Sequence, residues 1–338
     1  PRQFFLFQKI GGVRLAQRAA TRLLRCIQFI FSRVKRTKNF LAQRLTPIRF
    51  YVIFPHHMAE GLQDKLVAAE ALQVKGGTDN WDQSIKAYEA IITEQGPSSV
   101  VLNGLGVPLR MRNRQPEAIA TFTYARALAL KERDLEAQLT AVNGLIDAWR
   151  TGNRCPTFPY PFYVEKEERL PYLHTVAQSF IPDTDAIMSQ MRGLNLTRVE
   201  AYNQRGLLYN DMGDIEGALA EYREATRRAR MLTETDPSND RYQNRLARAL
   251  TTMGVSLLRN GDVDGALAGQ QESLGIYLQV DDMRGVGNAG AGVIDALDAK
   301  QDYAAARKLA KDLLPKVEQD PESVRMLTER LAKLPPVL

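Results

Sequence analysis

The chain has 338 residues, of which 44% are apolar and 25% charged, enough apolar material for an extended core and a poor match to a largely disordered protein. Its two cysteines, Cys26 and Cys155, lack metal-ligand spacing, which argues against a disulfide framework or a zinc site and weakly favours a reducing compartment. No uncharged apolar run reaches about 18 residues, so no transmembrane helix is expected.

The net charge of +6 conceals a division. Residues 1–59 hold twelve Lys or Arg and no acid, leaving 45 − 12 = 33 basic and 39 acidic residues, a charge of −6, in the remainder. In this arm Arg14, Arg18, Arg22 and Arg25 recur at helical spacing opposite Leu15, Ala19, Leu23, Ile27, Ile30 and Val34. Three readings stand side by side. An Arg-rich, acid-free amphipathic start suits an organelle-targeting segment. It also suits a retained basic arm that meets RNA phosphates or an anionic membrane. The third reading is upstream, non-native sequence: the chain opens on Pro1, all nine methionines lie at or beyond Met58, and Met58-Ala59-Glu60-Gly61 coincides with the change of charge.

After the arm, Leu62, Leu66, Ala69 and Leu72 predict a helix that ends at Gly76-Gly77. A second helix is expected to start at Asp79 or Asn80 as its cap, with Trp81, Ser84, Ile85, Tyr88 and Ile91 inward. Leu102, Gly106 and Leu109 mark the next first helix, which Pro108 is expected to kink or end early, and Ala118, Phe122 and Ala125 mark its second, with Pro116 at its start. A further first helix spans Leu135 to Trp149, with Gly144 at the small position. Pro156, Pro159 and Pro161 then preclude a regular helix, and Phe158, Tyr160, Phe162 and Tyr163 form an apolar cluster expected to pack over the array or to plug a groove. A short helix from Glu165 to Phe180, interrupted at Pro171, follows.

The clearest unit is AYNQRGLLYNDMGDIEGALAEYREA. Tyr202, Gly206 and Tyr209 share one helix face, Gly213-Asp214 makes a turn, and Ala218, Tyr222 and Ala225 share the face of a second helix. Small residues at Gly206 and Ala218 allow close approach, and the aromatics fill the space around them. This pattern resembles the tetratricopeptide repeat. Leu250, Met253, Gly254, Leu257, Gly261, Ala266 and Ser273 repeat it with Gly254 48 residues after Gly206, against a standard period of about 34, so the helices are longer than usual. Ile294, Leu297, Asp302, Tyr303 and Ala306 mark another unit. Its approach, RGVGNAGAG, lacks the strand and the Gly-Lys-Ser/Thr ending of a phosphate loop and is read as close helix packing. Asp320-Pro321 starts a last helix with Val324, Leu327, Leu331 and Leu334 on one face.

The expected architecture is all-α: a right-handed α-solenoid of antiparallel helix pairs with a C-terminal capping helix. Its parts are the basic arm 1–59, repeats over 60–152, a Pro/aromatic-rich insertion over 153–196, repeats over 197–318, and a cap and tail over 319–338. The resemblance implies that the second, fifth, ninth and twelfth positions of first helices line a concave groove. The candidate partner-binding residues are Asn103, Val107, Gln138, Leu145, Asn203, Leu207, Asn210, Arg248, Thr251 and Val255, with Val100, Ala141 and Leu258 in the same register. Family members that hold the acidic C-termini of chaperones use a Lys/Arg/Asn clamp. The matching positions Ala69, Gln73, Asn103, Val107, Ala141 and Leu145 are apolar or amide, so a chaperone carboxylate is not the expected partner.

Function follows as a non-enzymatic scaffold or adaptor that binds a partner peptide or helix, with no cofactor and no metal. His56 and His57 are adjacent and cannot comfortably face one metal on a helix, and His174 has no nucleophile or carboxylate at diagnostic spacing. The expected location is the cytoplasm. The alternative is a mitochondrial or other organelle factor associated with RNA or the ribosome through the arm, and nucleic acid is a partner only if that arm is retained.

Overall fold

Most helices begin at a residue whose short polar side chain takes up an otherwise orphaned backbone N–H. Ser98, Asp134, Asp214, Asp262, Asp282, Asp302 and Asp320 each accept from the N–H three residues on, and Asn195 and Asn239 from the N–H two residues on. The structure, a computed structural model, describes residues 61–161 and 164–335. The readings placed on residues 1–60 and on Phe162 and Tyr163 lie outside the described residues.

Helices α1 (Leu62–Lys75) and α2 (Thr78–Gln95), α3 (Ser99–Met111) and α4 (Gln115–Glu132) form the first two pairs. Helix α5 (Leu135–Arg150) is followed by two short helices, α6 (Arg169–Gln178) and α7 (Ile181–Gln190). Pairs α8 (Leu196–Asp211) and α9 (Ile215–Thr235), α10 (Asp240–Arg259) and α11 (Val263–Gln279), and α12 (Met283–Ala299) and α13 (Tyr303–Leu313) complete the array. Helix α14 (Pro321–Lys333) packs on α12 and closes the C-terminal end with Leu327 fully buried. Among the described residues there is no strand, so the architecture is an all-α solenoid.

Each second helix packs on the first helices before and after it, whereas successive first helices also pack on one another, α3 on α5, α5 on α8, α8 on α10 and α10 on α12. An array whose first helices crowd together curves toward them and makes their outward face concave. The curvature is tight. The Arg284 guanidinium at the start of α12 lies 5.4 Å from the ring centroid of Trp81 in α2, so the first and sixth units meet.

The spacing is set by aromatic rings seated on glycines. A Cβ added to Gly206 would lie 2.4 Å from the Tyr222 ring, which is itself fully buried. Gly206→Trp is therefore expected to lower stability by roughly 1–3 kcal/mol or more, because the ring has no room to retreat. Gly275, on the exposed side of α11, has open space around it, so Gly275→Ala should instead raise stability by about 0.5–1 kcal/mol through helix propensity. Paired urea titrations of the two variants read both signs, and an unchanged midpoint for Gly206→Trp would count against this register. The glycines of RGVGNAGAG lie inside α12, where a Cβ on Gly290 would meet Leu313 and one on Gly292 would meet Gln270; they serve helix packing, not a phosphate.

Three local expectations are corrected. Helix α2 starts at Thr78, and neither Asp79 nor Asn80 caps it; the Asn80 amide instead donates to the Gly76 carbonyl (2.7 Å) and braces the preceding turn. Pro108 does not end α3, which runs on to Met111. Proline at that position leaves the Gly104 carbonyl without its helical donor, and Gln73 Nε2 of α1 supplies one at 2.9 Å. The segment expected as a short helix over 165–180 interrupted at Pro171 is a 3₁₀ turn, Lys166–Glu168, running into α6, which Pro171 does not interrupt, and a separate α7 follows it. Pro171 lies in the first turn of α6 and Pro182 in that of α7, where a missing N–H costs little.

Candidate partner-binding groove

The groove face is built from α3, α5, α8 and α10. Their backbones are tied by buried amides and hydroxyls. Asn103 Nδ2 donates to the Ala137 carbonyl (2.9 Å), Asn143 Nδ2 to the Thr197 carbonyl (3.3 Å), Thr252 Oγ1 to Asn203 Oδ1 (2.8 Å) and Ser256 Oγ to Asn210 Oδ1 (3.2 Å). Each of these bonds joins one first helix to the next and satisfies polar groups that lie away from bulk water.

The sequence-derived groove residues divide accordingly. Asn103, Gln138, Leu145 and Asn203 are buried in the seams. Gln138 Nε2 donates to the Ala129 carbonyl (3.2 Å), and Leu145 belongs to the core around Phe122. Asn210 is half-buried and already bonded to Ser256. The Thr251 hydroxyl is within 2.7 Å of Ser273 Oγ and 3.0 Å of the Ala247 carbonyl. Val107, Leu207 and Arg248 keep partial exposure, Val255 is 39% exposed and Val100 51%. The open surface is thus a mixture of apolar side chains and arginine.

Ion pairs whose members, apart from Arg248, lie outside the sequence-derived set run along the same face. Asp147 of α5 lies 3.0 Å from Arg110 Nη1 of α3 and 2.5 Å from Arg150 Nη2. Arg150 Nη1 continues to Asp211 of α8 at 2.6 Å. Glu200 of α8 is shared by Arg245 (2.8 Å) and Arg248 (3.3 Å) of α10. Burial alone would raise the Asp147 carboxyl, but Arg110 and Arg150 outweigh it and hold the group down at about 2. Burial likewise works against ionised Glu200, and Arg248 and Arg245 overcome it, so its pKa is lowered. Arg110 goes the other way: burial lowers its pKa against the pull of Asp147, with Arg248 and Arg150 adding repulsion. That Arg110 and Arg248 act on each other, with α5 and α8 between their helices, reflects the inward curvature.

Three of these groups follow the positional rule: Arg248, already among the sequence-derived residues, and two that were not. Arg110 is twelfth in its unit and Glu200 second in its own, so counting on from Asn103 and back from Asn203 reaches them. Asp147 and Arg245 lie off the rule, and only convergence of the helices puts them in the network.

The described part of the insertion lies chiefly against α5, and its Leu170 and His174 share a cleft with Arg150 and Asp211. Helices α6 and α7 pack on α5, taking the place of the second helix that α5 lacks. Arg126 of α4 pairs with Asp183 of α7 (2.9 Å), and Arg205 of α8 joins Asp185 of α7 (2.5 Å) to Glu221 of α9 (2.8 Å). Phe158 is buried edge-on against Trp149, with ring centroids 5.5 Å apart, and Tyr160 lies 5.0 Å beyond. His174 is buried beside Arg150 and Asp211 at the wall of a 260 Å³ cleft, and burial lowers its pKa. Cys155 is a buried free thiol.

Two solved structures share this arrangement of stacked helix pairs. One is a signal transduction ATPase with numerous domains and a tetratricopeptide repeat sensor from Pyrococcus horikoshii, with a TM-score of 0.53, 13% identity, and coverage of 81% of this chain and 39% of that one. The other is a Rap protein complexed with Competence and Sporulation Factor, with a TM-score of 0.51, 13% identity, and coverage of 82% and 76%. The fold is that of the tetratricopeptide-repeat proteins. A thermophilic tetratricopeptide-repeat protein of Thermus thermophilus is similar at a TM-score of 0.47 and 17% identity, covering 67% of this chain and 97% of that one. No protein-family model matches the sequence, and no curated protein matches it either. Within this tetratricopeptide-repeat solenoid no described helix is long and apolar enough to cross a membrane, and no described group of three His, Cys, Asp or Glu residues is placed to hold a metal.

Proposed function

We propose that the chain is a non-enzymatic interaction scaffold that holds a peptide or helix of a partner protein in the concave groove. The observation that carries this reading is the open surface of α3, α8 and α10. Val100, Val107, Leu207 and Val255 stay partly or well exposed on a concave face whose backbone is held by hydrogen bonds between helices. A preformed groove with spaced apolar positions suits an extended segment or an amphipathic helix, which buries its anchors there without reorganising the host. The Rap protein of the same fold is complexed with Competence and Sporulation Factor, and the Pyrococcus protein carries the repeats as a sensor. Both support a recognition role for such an array.

Site-specific photo-crosslinking tests the proposal. A benzophenone side chain at Val255 in the groove should capture a discrete partner in cells of the source organism. The same group at Arg223, exposed on α9, should not. Capture from Arg223 alone, or the same products from both sites, would place the partner elsewhere on the solenoid.

A further inference from the structure

We propose that the partner segment in the groove is acidic, with carboxylate side chains interleaved among apolar ones, and that Arg110, Arg245 and Arg248 recognise those carboxylates. The inference rests on the groove reading above and specifies its ligand. Four arginines from α3, α5 and α10 meet on the groove face, Arg110, Arg150, Arg245 and Arg248, against three carboxylates, Asp147, Glu200 and Asp211. The excess is positive, although residues 60–338 as a whole carry 39 acids against 33 bases. A positive cluster in the concavity of an otherwise acidic body selects ligands by charge, because concave low-dielectric walls focus its field.

The donor inventory leads to the same ligand. A guanidinium has five N–H donors, yet Arg245 and Arg248 share the single carboxylate of Glu200, and Arg110 has Asp147 alone. Both Arg245 and Arg248 side chains are 38% exposed, so the pair is not sealed off and a ligand can reach these side chains. Glu200 holds the pair in place, Oε2 facing Arg245 and Oε1 facing Arg248, and Gln204 Nε2 donates to Oε1 at 2.7 Å. The guanidiniums are therefore fixed before the ligand arrives, which limits the entropy lost on binding. Val255 lies on α10 two turns beyond Arg248, and Leu207 lies two turns beyond Glu200 on α8. That spacing asks for apolar and acidic side chains within one short segment.

The full chain, immobilised and presented with a random library of roughly twelve-residue peptides, tests this directly. Selected peptides should be enriched in Asp and Glu about threefold or more, and should lose about tenfold or more in affinity between about 0.1 and about 1 M salt. Arg245→Gln, which leaves Glu200 paired with Arg248, should weaken them about tenfold while the circular-dichroism melt stays near that of the parent. Neutral apolar peptides that are displaced by Val255→Glu would overturn the acidic ligand and keep the groove. A failure to select any peptide would overturn the groove reading itself. Tighter binding of a single-stranded oligouridylate, lost in Arg245→Gln, would assign the arginines to nucleic acid instead.

Discussion

Phe122→Ala should destabilise the N-terminal half of the solenoid by about 3–5 kcal/mol, among the largest effects of any single side chain here. Phe122 is 1% exposed and its ring is held from two sides. A Cβ on Gly106 of α3 would lie 2.4 Å from it, and so would one on Gly144 of α5. The ring thus fills the junction of three helices, α3, α4 and α5, with Leu109, Leu145 and Ala148 in the same core. Its removal leaves a cavity that two glycine-lined helix walls cannot fill from their own side chains. Each repeat is stabilised mainly by its neighbours, so the loss should reach α2 and α6 as well. Urea titration followed by circular dichroism reads the size of the change, and hydrogen exchange locates it. Protection should fall most across residues 99–150, less in the flanking α2 and α6, and stay near the parent's in α11 and α12. A uniform loss over the whole chain would mean that the array unfolds as one unit.

Asp147→Ala should cost a similar amount, about 3–5 kcal/mol, for an electrostatic reason. The Asp147 side chain is only 5% exposed and holds Arg110 and Arg150 together. Arg150 keeps Asp211 after the change, but Arg110 is left as a partly buried cation with Arg150 and Arg248 nearby. The pH dependence of the parent chain follows from the same group. Its folded pKa of about 2 lies below the ordinary 3.8. The carboxylate form is therefore favoured by folding, and its contribution is complete above pH 4. That contribution, about 2 kcal/mol, fades as the pH falls from 4 toward 2 and protonates the group. Asp147→Asn keeps the shape and removes the titration. The urea midpoint of the parent should drop more steeply over this range than that of Asp147→Asn, and parallel curves would show that Asp147 does not carry the acid sensitivity.

The repeats were legible because their signal is local. Gly206 and Tyr222, or Gly106 and Phe122, lie sixteen residues apart, within one helix hairpin. The caps were legible for the same reason, as Asp214, Asp262 and Asp302 show. Asp79 and Asn80 misled because Gly76 and Gly77, both at positive φ, let the turn close earlier than a polar cap would require. Pro108 misled because the rule for proline assumes an unrescued carbonyl, and the rescuing donor, Gln73, sits thirty-one residues away from Gly104 on another helix. The groove residues were least legible. Asn103 and Asn203 have the right periodicity for a ligand face, yet the tight curvature brings the next helix close enough to take up their amides.

By itself the sequence determined an all-α array of paired helices, the helices that come first in each pair, and the capping role of the last helix. These depend on periodicity, turns and caps, which act over a few residues to one hairpin. Only the tertiary structure decided that α6 and α7 substitute for a missing second helix, that Arg284 reaches Trp81, and that Arg110, Asp147, Glu200 and Arg248 converge on one face. Those facts depend on the small rotation between successive units, summed over the array. No local pattern encodes that sum, because it is fixed by how each ring seats against the helices around it.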